Sequence, residues 1–464
     1  MVSAAEQLAS NINLSAFGKA DELKRRILFT LAALVVYRLG TFIPIPGINP
    51  AAFAETFNQA AGGILGLFNT FAGGAVERMA IFALNIMPYI SASIIMQLMT
   101  SVNPKLEALK KEGEQGRKTI NQYTRYLTLV LATFQAYGIA VGLEGTTAPS
   151  GAVVSDPGWF FRVSTVITLV GGTMFLMWLG EQITQRGVGN GISLIIFAGI
   201  VAGMPAALAG LFELSRTGSL PLIVLFAVLA LMVFVVIAIV FMERAQRRLL
   251  IQYPKRQVGN KMMQGNSSHL PLKLNSAGVI PPIFASSLLL LPTTVAQFTA
   301  GQGGTGSEWL NTAVAWLGYG QPLHMAVYAA LILFFAFFYT AVVFNPQETA
   351  DNLRKYGGYI PGIRPGQKTA EFIDYVLTRI TVVGAVYLAA VCLLPEILIA
   401  NTPVPQTFAA VIGGTSLLIA VSVTMDTVAQ IQSHLLAHQY EGLIKKAKLK
   451  GATPSTTRRG GGRR

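Results

Sequence analysis

The chain has 464 residues, 52% of them hydrophobic and only 12% charged, and its mean hydropathy is +0.53. Soluble domains carry about 25% charged residues, so a fold with water on all sides is excluded and a helical bundle in lipid leads. The net charge of +14 would suggest nucleic-acid binding in a soluble protein, while the lone Cys392, inside an apolar run, rules out an intrachain disulfide framework.

Residues 1–26 are polar and end in Lys24-Arg25-Arg26. The first apolar run closes on Pro44-Ile45-Pro46 instead of a small-residue cleavage site, so a retained first span is expected. A helix needs roughly 20 apolar residues to cross the hydrocarbon core. Candidate spans fall at about 27–43, 79–100, 122–143, 161–180, 191–211, 221–242, 276–298, 322–344, 379–398 and 407–430. The fifth contains Pro205 and the tenth is weakly polar. Residues 61–75 do not fit this series: Ile64, Leu67, Phe68 and Phe71 recur at helical spacing between Gly62-Gly63 and Gly73-Gly74, a stretch too short to span. A short re-entrant helix or an amphipathic helix on the outer leaflet fits it.

Lysine and arginine alternate along the connections. They crowd the N-terminal segment, loops 2–3, 6–7 and 8–9, and the tail after residue 440, and are nearly absent from the other set. The positive-inside rule then predicts an even number of spans with both termini cytoplasmic, and accounts for most of the charge without a ligand. Ten spans make halves of five, 27–215 and 221–432, followed by a basic tail at 433–464. Five is odd, so if the halves are repeats they are inverted about an axis in the membrane plane.

Several spans carry breakers: Met87-Pro88, Gly187 to Gly191, Ile280-Pro281-Pro282 and Gly413-Gly414-Thr415. Breaks of this kind surround a central path in some membrane proteins, although Gly and Pro are also simply common in membrane helices. Gly199 and Gly203 form a GxxxG packing pattern. Ionisable residues within the spans (Arg38, Arg125, Arg162, Glu181, Asp426) lie mostly near span ends, and only Asp426 is a fair candidate for a buried carboxylate, expected at the cytoplasmic end. That argues against an ion-coupled transporter. No HExxH, metal-ligand cluster or phosphate loop stands out, so neither an enzyme nor a cofactor is expected; Gly113 to Thr119 has the wrong spacing for a phosphate loop and follows no strand.

An ordered set of words resembles the SecY family, the pore subunits of the bacterial protein-translocation channel. They are Phe42 to Ile48, Ile86-Met87-Pro88-Tyr89-Ile90-Ser91-Ala92-Ser93, Trp178 to Thr184 followed by Gly189-Asn190-Gly191-Ile192-Ser193, Leu270 to Asn275 leading into Gly278 to Pro281, Phe344-Asn345-Pro346, Ile360 to Gly366, and Gly413 to Ile419. The resemblance runs from about residue 20 to 450. It implies an all-α integral membrane channel of ten transmembrane helices in two inverted halves, with a short re-entrant plug helix. It also implies a central ring formed by Ile86, Ile90, Ile192, Ile196, Ile283 and Ile419, which would block ions by dewetting without a charged gate. By the same resemblance Ile64, Leu65, Leu67, Phe68 and Phe71 form the plug, and Ser91 and Asn275 face a lateral gate. Arg364, with Arg247, Arg248, Lys255 and Arg256, would dock a SecA-type motor ATPase or a ribosome. The implied partners are SecE-like and SecG-like small subunits, the translocating polypeptide and the lipid of the inner membrane. Three residues depart from the family pattern: Asn260-Lys261 stand where paired arginines are expected, and Asn85 stands where glycine is common. The Gly/Arg-rich end from Arg458 to Arg464 is expected to be disordered, lying against anionic lipid or RNA.

Overall fold

The computed structural model describes residues 21–60, 69–145, 147–148, 151–253, 256–258, 261–263, 267–289, 316, 321–402, 408–409 and 413–451. Its helices are α1 (Asp21–Gly40), α2 (Pro50–Ala60), α3 (Met87–Val102), α4 (Pro104–Lys111), α5 (Glu114–Glu144), α6 (Trp159–Arg186), α7 (Gly191–Arg216) and α8 (Leu222–Arg244). They continue with α9 (Ile280–Leu289), α10 (Pro322–Val343), α11 (Pro346–Lys355), α12 (Gln367–Asn401) and α13 (Gly414–Gly451). Each predicted span overlaps one of these, and seven helices among the described residues are long and apolar enough to cross a membrane. The chain is a predominantly helical multi-pass membrane protein.

The ends of the helices follow local chemistry. Asn103, Asn190 and Asn345 each accept a backbone N–H of the turn they open, and a proline stands in the first turn after Asn103 and after Asn345. The sides follow the solvent. In α8, Leu225, Val228, Val235 and Ile239 are buried, yet the opposite face shows Ile223, Phe226, Phe234 and Phe241. A helix apolar all round belongs in lipid, where its backbone bonds are all satisfied internally.

One expectation needs correction. The second span begins at Met87, not near residue 79: Pro88 offers no N–H and starts the helix, and residues 72–86 run as turns, with Met79 and Asn85 at positive φ. Loop 6–7 forms an antiparallel ribbon. In it, β3 (Gln246–Gln252) pairs β6 (Ser267–Lys273) from Gln246↔Lys273 to Gln252↔Ser267, and β4 (Arg256–Val258) pairs β5 (Lys261–Met263). Loop 8–9 joins this ribbon, because Gln252 and Tyr359 exchange backbone hydrogen bonds of 2.9 and 3.0 Å. Beneath, Leu249, Leu272, Ile360 and Ile373 form one small buried cluster. Asp426 is exposed, whereas Glu396 is 1% exposed with its Oε2 3.0 Å from His324 Nδ1 on α10. Pairing with the imidazole offsets the cost of burying that carboxylate.

One contact between the first five spans and the last five runs along α13. There α13 packs against α7 and α1. The Gly189 amide donates to Gln430 Oε1 at 2.8 Å, and Leu23 and Val188 lie against Ile431 and Leu435. Among the described residues, no hydrogen bond or ion pair ties α3 to α9 or α10. At one end of the first half, a two-residue ribbon, β1 (Thr147–Ala148) with β2 (Gly151–Ala152), leads into Val153 and Val154, which pack with Ile45 and Ile48.

Candidate functional site: an apolar constriction

The six isoleucines come from four helices and five of them from a helix's opening turns. Ile86 caps α3 and is fully buried, and Ile90 follows one turn later. Ile192 and Ile196 open α7, whose start is set by the Asn190 cap and by contact with α6: a Cβ on Gly191 would lie 2.0 Å from the Gly180 carbonyl oxygen. Ile283 stands in the first turn of α9, and Ile419 near the start of α13 is 2% exposed. All six belong to one apolar cluster. Ile86, Ile90, Ile196, Ile283 and Ile419 line a single small cleft with Met87, Asn85 and Phe71, and Ile192 packs against the same cluster. β-Branched side chains have few rotamers, so the lining is stiff. With one side chain excepted it is also wholly apolar, and a constriction of this kind stays dry and impermeable to ions without a charged gate.

Of the five plug residues, Ile64, Leu65, Leu67 and Phe68 lie outside the described residues. Phe71 is 6% exposed and lines the same cleft as the isoleucines. Three of the contacts that hold its segment bear on the cleft. Asn85 Nδ2 donates to the Phe71 carbonyl at 2.7 Å, Arg38 Nη1 donates to the Gly73 carbonyl at 2.6 Å, and Gly199 of α7 lies so close that a Cβ there would sit 2.4 Å from the Phe71 oxygen. Gly199 thus serves as more than one half of a helix-packing motif. Arg38 and Arg78 both stack on the Phe42 ring, 4.7 and 4.3 Å from its centroid.

Ser91 is half-buried on α3. Asn275 is 5% exposed and bonds elsewhere: its Nδ2 donates to Glu243 Oε1 at 2.6 Å and to the Gly278 carbonyl at 3.2 Å, fixing the turn from β6 into α9 against the end of α8. The structure does not bring Ser91 and Asn275 into a hydrogen bond. Arg247 and Arg248 are exposed on β3, Arg256 opens β4, and Lys255 lies outside the described residues. Arg364 is exposed in the turn between Gly362 and Gly366, both at positive φ, and its carbonyl accepts the Thr369 hydroxyl at 2.9 Å. The ribbon's pairing with Tyr359 therefore places both basic loops on one platform. Sequence reasoning missed that pairing, the anchoring of Asn275 to Glu243, and the Asn85 contact. Only the last left a trace, as a departure from a family pattern.

Residues 80–428 match the SecY family model. The chain is 56% identical over 437 residues to the protein translocase subunit SecY of Escherichia coli K12, covering 94% of this chain and 97% of that one. It is 55% identical over 430 residues to the corresponding subunit of Rickettsia conorii, covering 93% and 98%. Among solved structures, it resembles a protein-conducting channel at a TM-score of 0.63 and 17% identity, covering 89% of this chain and 92% of that one. It also resembles Sec61 from a canine ribosome–channel complex at 0.60 and 16%, with the same coverage. A SecY protein whose plug domain stabilises the closed state and maintains a membrane seal superposes at 0.64 and 19%, again over 89% and 92%. Identity above half along nearly the whole chain, and the same helical architecture at far lower identity, lead to one conclusion: this chain belongs to the SecY family.

Proposed function

We propose that the chain is the central channel subunit of a protein translocase, conducting unfolded polypeptides across the membrane and releasing apolar segments sideways into the bilayer. The observation that carries this reading is the apolar cleft that Ile86, Ile90, Ile196, Ile283 and Ile419 line together with Phe71. Such a gasket deforms around an arbitrary chain because it makes no specific polar contact, and it dewets when empty. The names of the relatives support it, as does the plug role described for a similar SecY protein. The role is conduction driven by partners, not catalysis.

The remaining assignments extend this reading. Residues 61–75 act as the plug. Ser91 on α3 and Asn275 before α9 flank the lateral gate, where no polar contact among the described residues holds the helices together. The basic platform of Arg247, Arg248, Lys255, Arg256 and Arg364 faces the cytoplasm and receives a SecA-type motor or a ribosome, whose phosphates arginine suits. SecE-like and SecG-like subunits cover apolar flanks. The protein sits in the bacterial inner membrane with both termini cytoplasmic, in keeping with the alternation of basic loops.

Cysteine at Ile86 or Ile283 in a Cys392→Ser background, with a stalled secretory chain in proteoliposomes, tests the reading. Crosslinks from both sites to the chain in transit are expected. Transport without crosslinks from either site would refute the ring. Failure of any polypeptide to move with motor and small subunits supplied would refute the channel.

A further inference from the structure

Among the described residues, Asn85 is the one polar residue lining the isoleucine cleft. It is 1% exposed and sits at φ +49°, a left-handed conformation. Its Nδ2 makes one hydrogen bond, 2.7 Å to the Phe71 carbonyl, and its Oδ1 has no partner among the described residues. Glycine would supply this backbone conformation without strain and leave no buried amide oxygen unsatisfied. Asparagine is therefore the costlier choice here, and what it adds is the bond to Phe71.

The other two of those contacts belong to α1 and α7: Arg38 on the Gly73 carbonyl, and Gly199 against Phe71 and Gly73. Asn85 stands on the turn that delivers Ile86 and Ile90 to the ring and leads directly into α3. Of the three contacts, its bond alone connects the Phe71 segment to the helix that must move aside if the bilayer face is to open. The bond also depends on the state of the cleft. In a dry, low-dielectric cleft an unpaired carbonyl and amide are costly, so the pair is strong. Once water or a polypeptide enters, each group finds another partner and the pair weakens.

We propose that Asn85 is a latch that couples the plug segment to α3, so that breaking the Asn85–Phe71 bond is a step of channel opening. The inference rests on the pore reading above. While the bond holds, the seal and the gate helix stay together. Movement of α3 breaks it, while the contacts with Arg38 of α1 and Gly199 of α7 remain.

The test uses the full chain with its small subunits in proteoliposomes, with two readouts: idle ion conductance and transport of a secretory polypeptide. Asn85→Gly keeps the backbone conformation and removes the bond; Asn85→Asp keeps the size and removes the donor. Both are expected to raise idle conductance roughly five- to thirtyfold, the shift a single buried hydrogen bond supports, with transport retained. Wild-type conductance in Asn85→Gly, beside a wild-type protein that moves polypeptide, would overturn the latch and leave the pore standing. The latch falls equally if Asn85→Gly leaks but Asn85→Asp stays sealed, since the donor would then not matter. A lower melting temperature in both variants with unchanged conductance would reduce Asn85 to packing and also overturn it. A wild-type protein that moves no polypeptide would instead remove the pore reading itself.

Discussion

Ile373 is fully buried in α12 and packs with Leu249 and Leu272 of the ribbon and Ile360 of loop 8–9. Ile373→Ala removes three carbons from the centre of a cluster of four buried side chains. Substitutions of this kind cost about 2–5 kcal/mol. At about 1.4 kcal/mol per factor of ten, that is a roughly 30- to 3,000-fold rise in local opening, provided the platform opens as its own unit. The reporters are the two amides that join the loops, Gln252 N–H on the Tyr359 carbonyl and Tyr359 N–H on the Gln252 carbonyl. Hydrogen exchange in nanodiscs should show both accelerating together, while amides in the membrane part of α5 keep their wild-type rates. Unchanged exchange at Gln252 and Tyr359 would refute the reasoning, because the loops would then be held by something other than their shared apolar base. Exchange rising everywhere would place Ile373 in the global core instead.

The buried pair in the second half gives a separate expectation. His324→Ala or Glu396→Ala should each lower stability by about 3–5 kcal/mol by stranding the other group, whereas the double change His324→Leu with Glu396→Met should recover much of that loss; thermal unfolding in detergent distinguishes the two patterns. Arg364→Glu should insert normally and still bind its small subunits, yet lose motor-driven export in vesicles, since the residue is exposed and holds its turn through its backbone carbonyl. Normal export by that variant would remove Arg364 from the docking surface.

The spans were legible because membrane insertion is read from local composition: some twenty apolar residues announce themselves without any neighbour. The start of α3 was legible in principle from Pro88, but the apolar run upstream, Met79 to Leu84, reads like helix and is in fact buried turn. The ribbon hid behind its charges. Leu249 and Ile251 alternate with exposed residues at the strand period, and Leu270 and Leu272 answer them from β6, but the arginines dominated the reading. Glu396 could not be placed because its burial depends on His324, 72 residues away on another helix. The ring isoleucines follow the same logic: nothing local marks Ile283 or Ile419 apart from other isoleucines, and they are picked out only by where four helices converge.

The seam where α13 meets α7 and α1 has a consequence for how the constriction can part. Stitched by Gln430 and Gly189 and by the apolar contacts of Leu23 and Leu435, it acts as the spine of a book whose fore-edge is α3 against α9. Ile196 and Ile419 stand near the spine; Ile86, Ile90 and Ile283 stand nearer the fore-edge. Rotation about the spine therefore widens the ring as a wedge and not as an iris. On the proposed channel reading, a passing chain would be held against α7 and α13, and the gap growing beside it would face the bilayer.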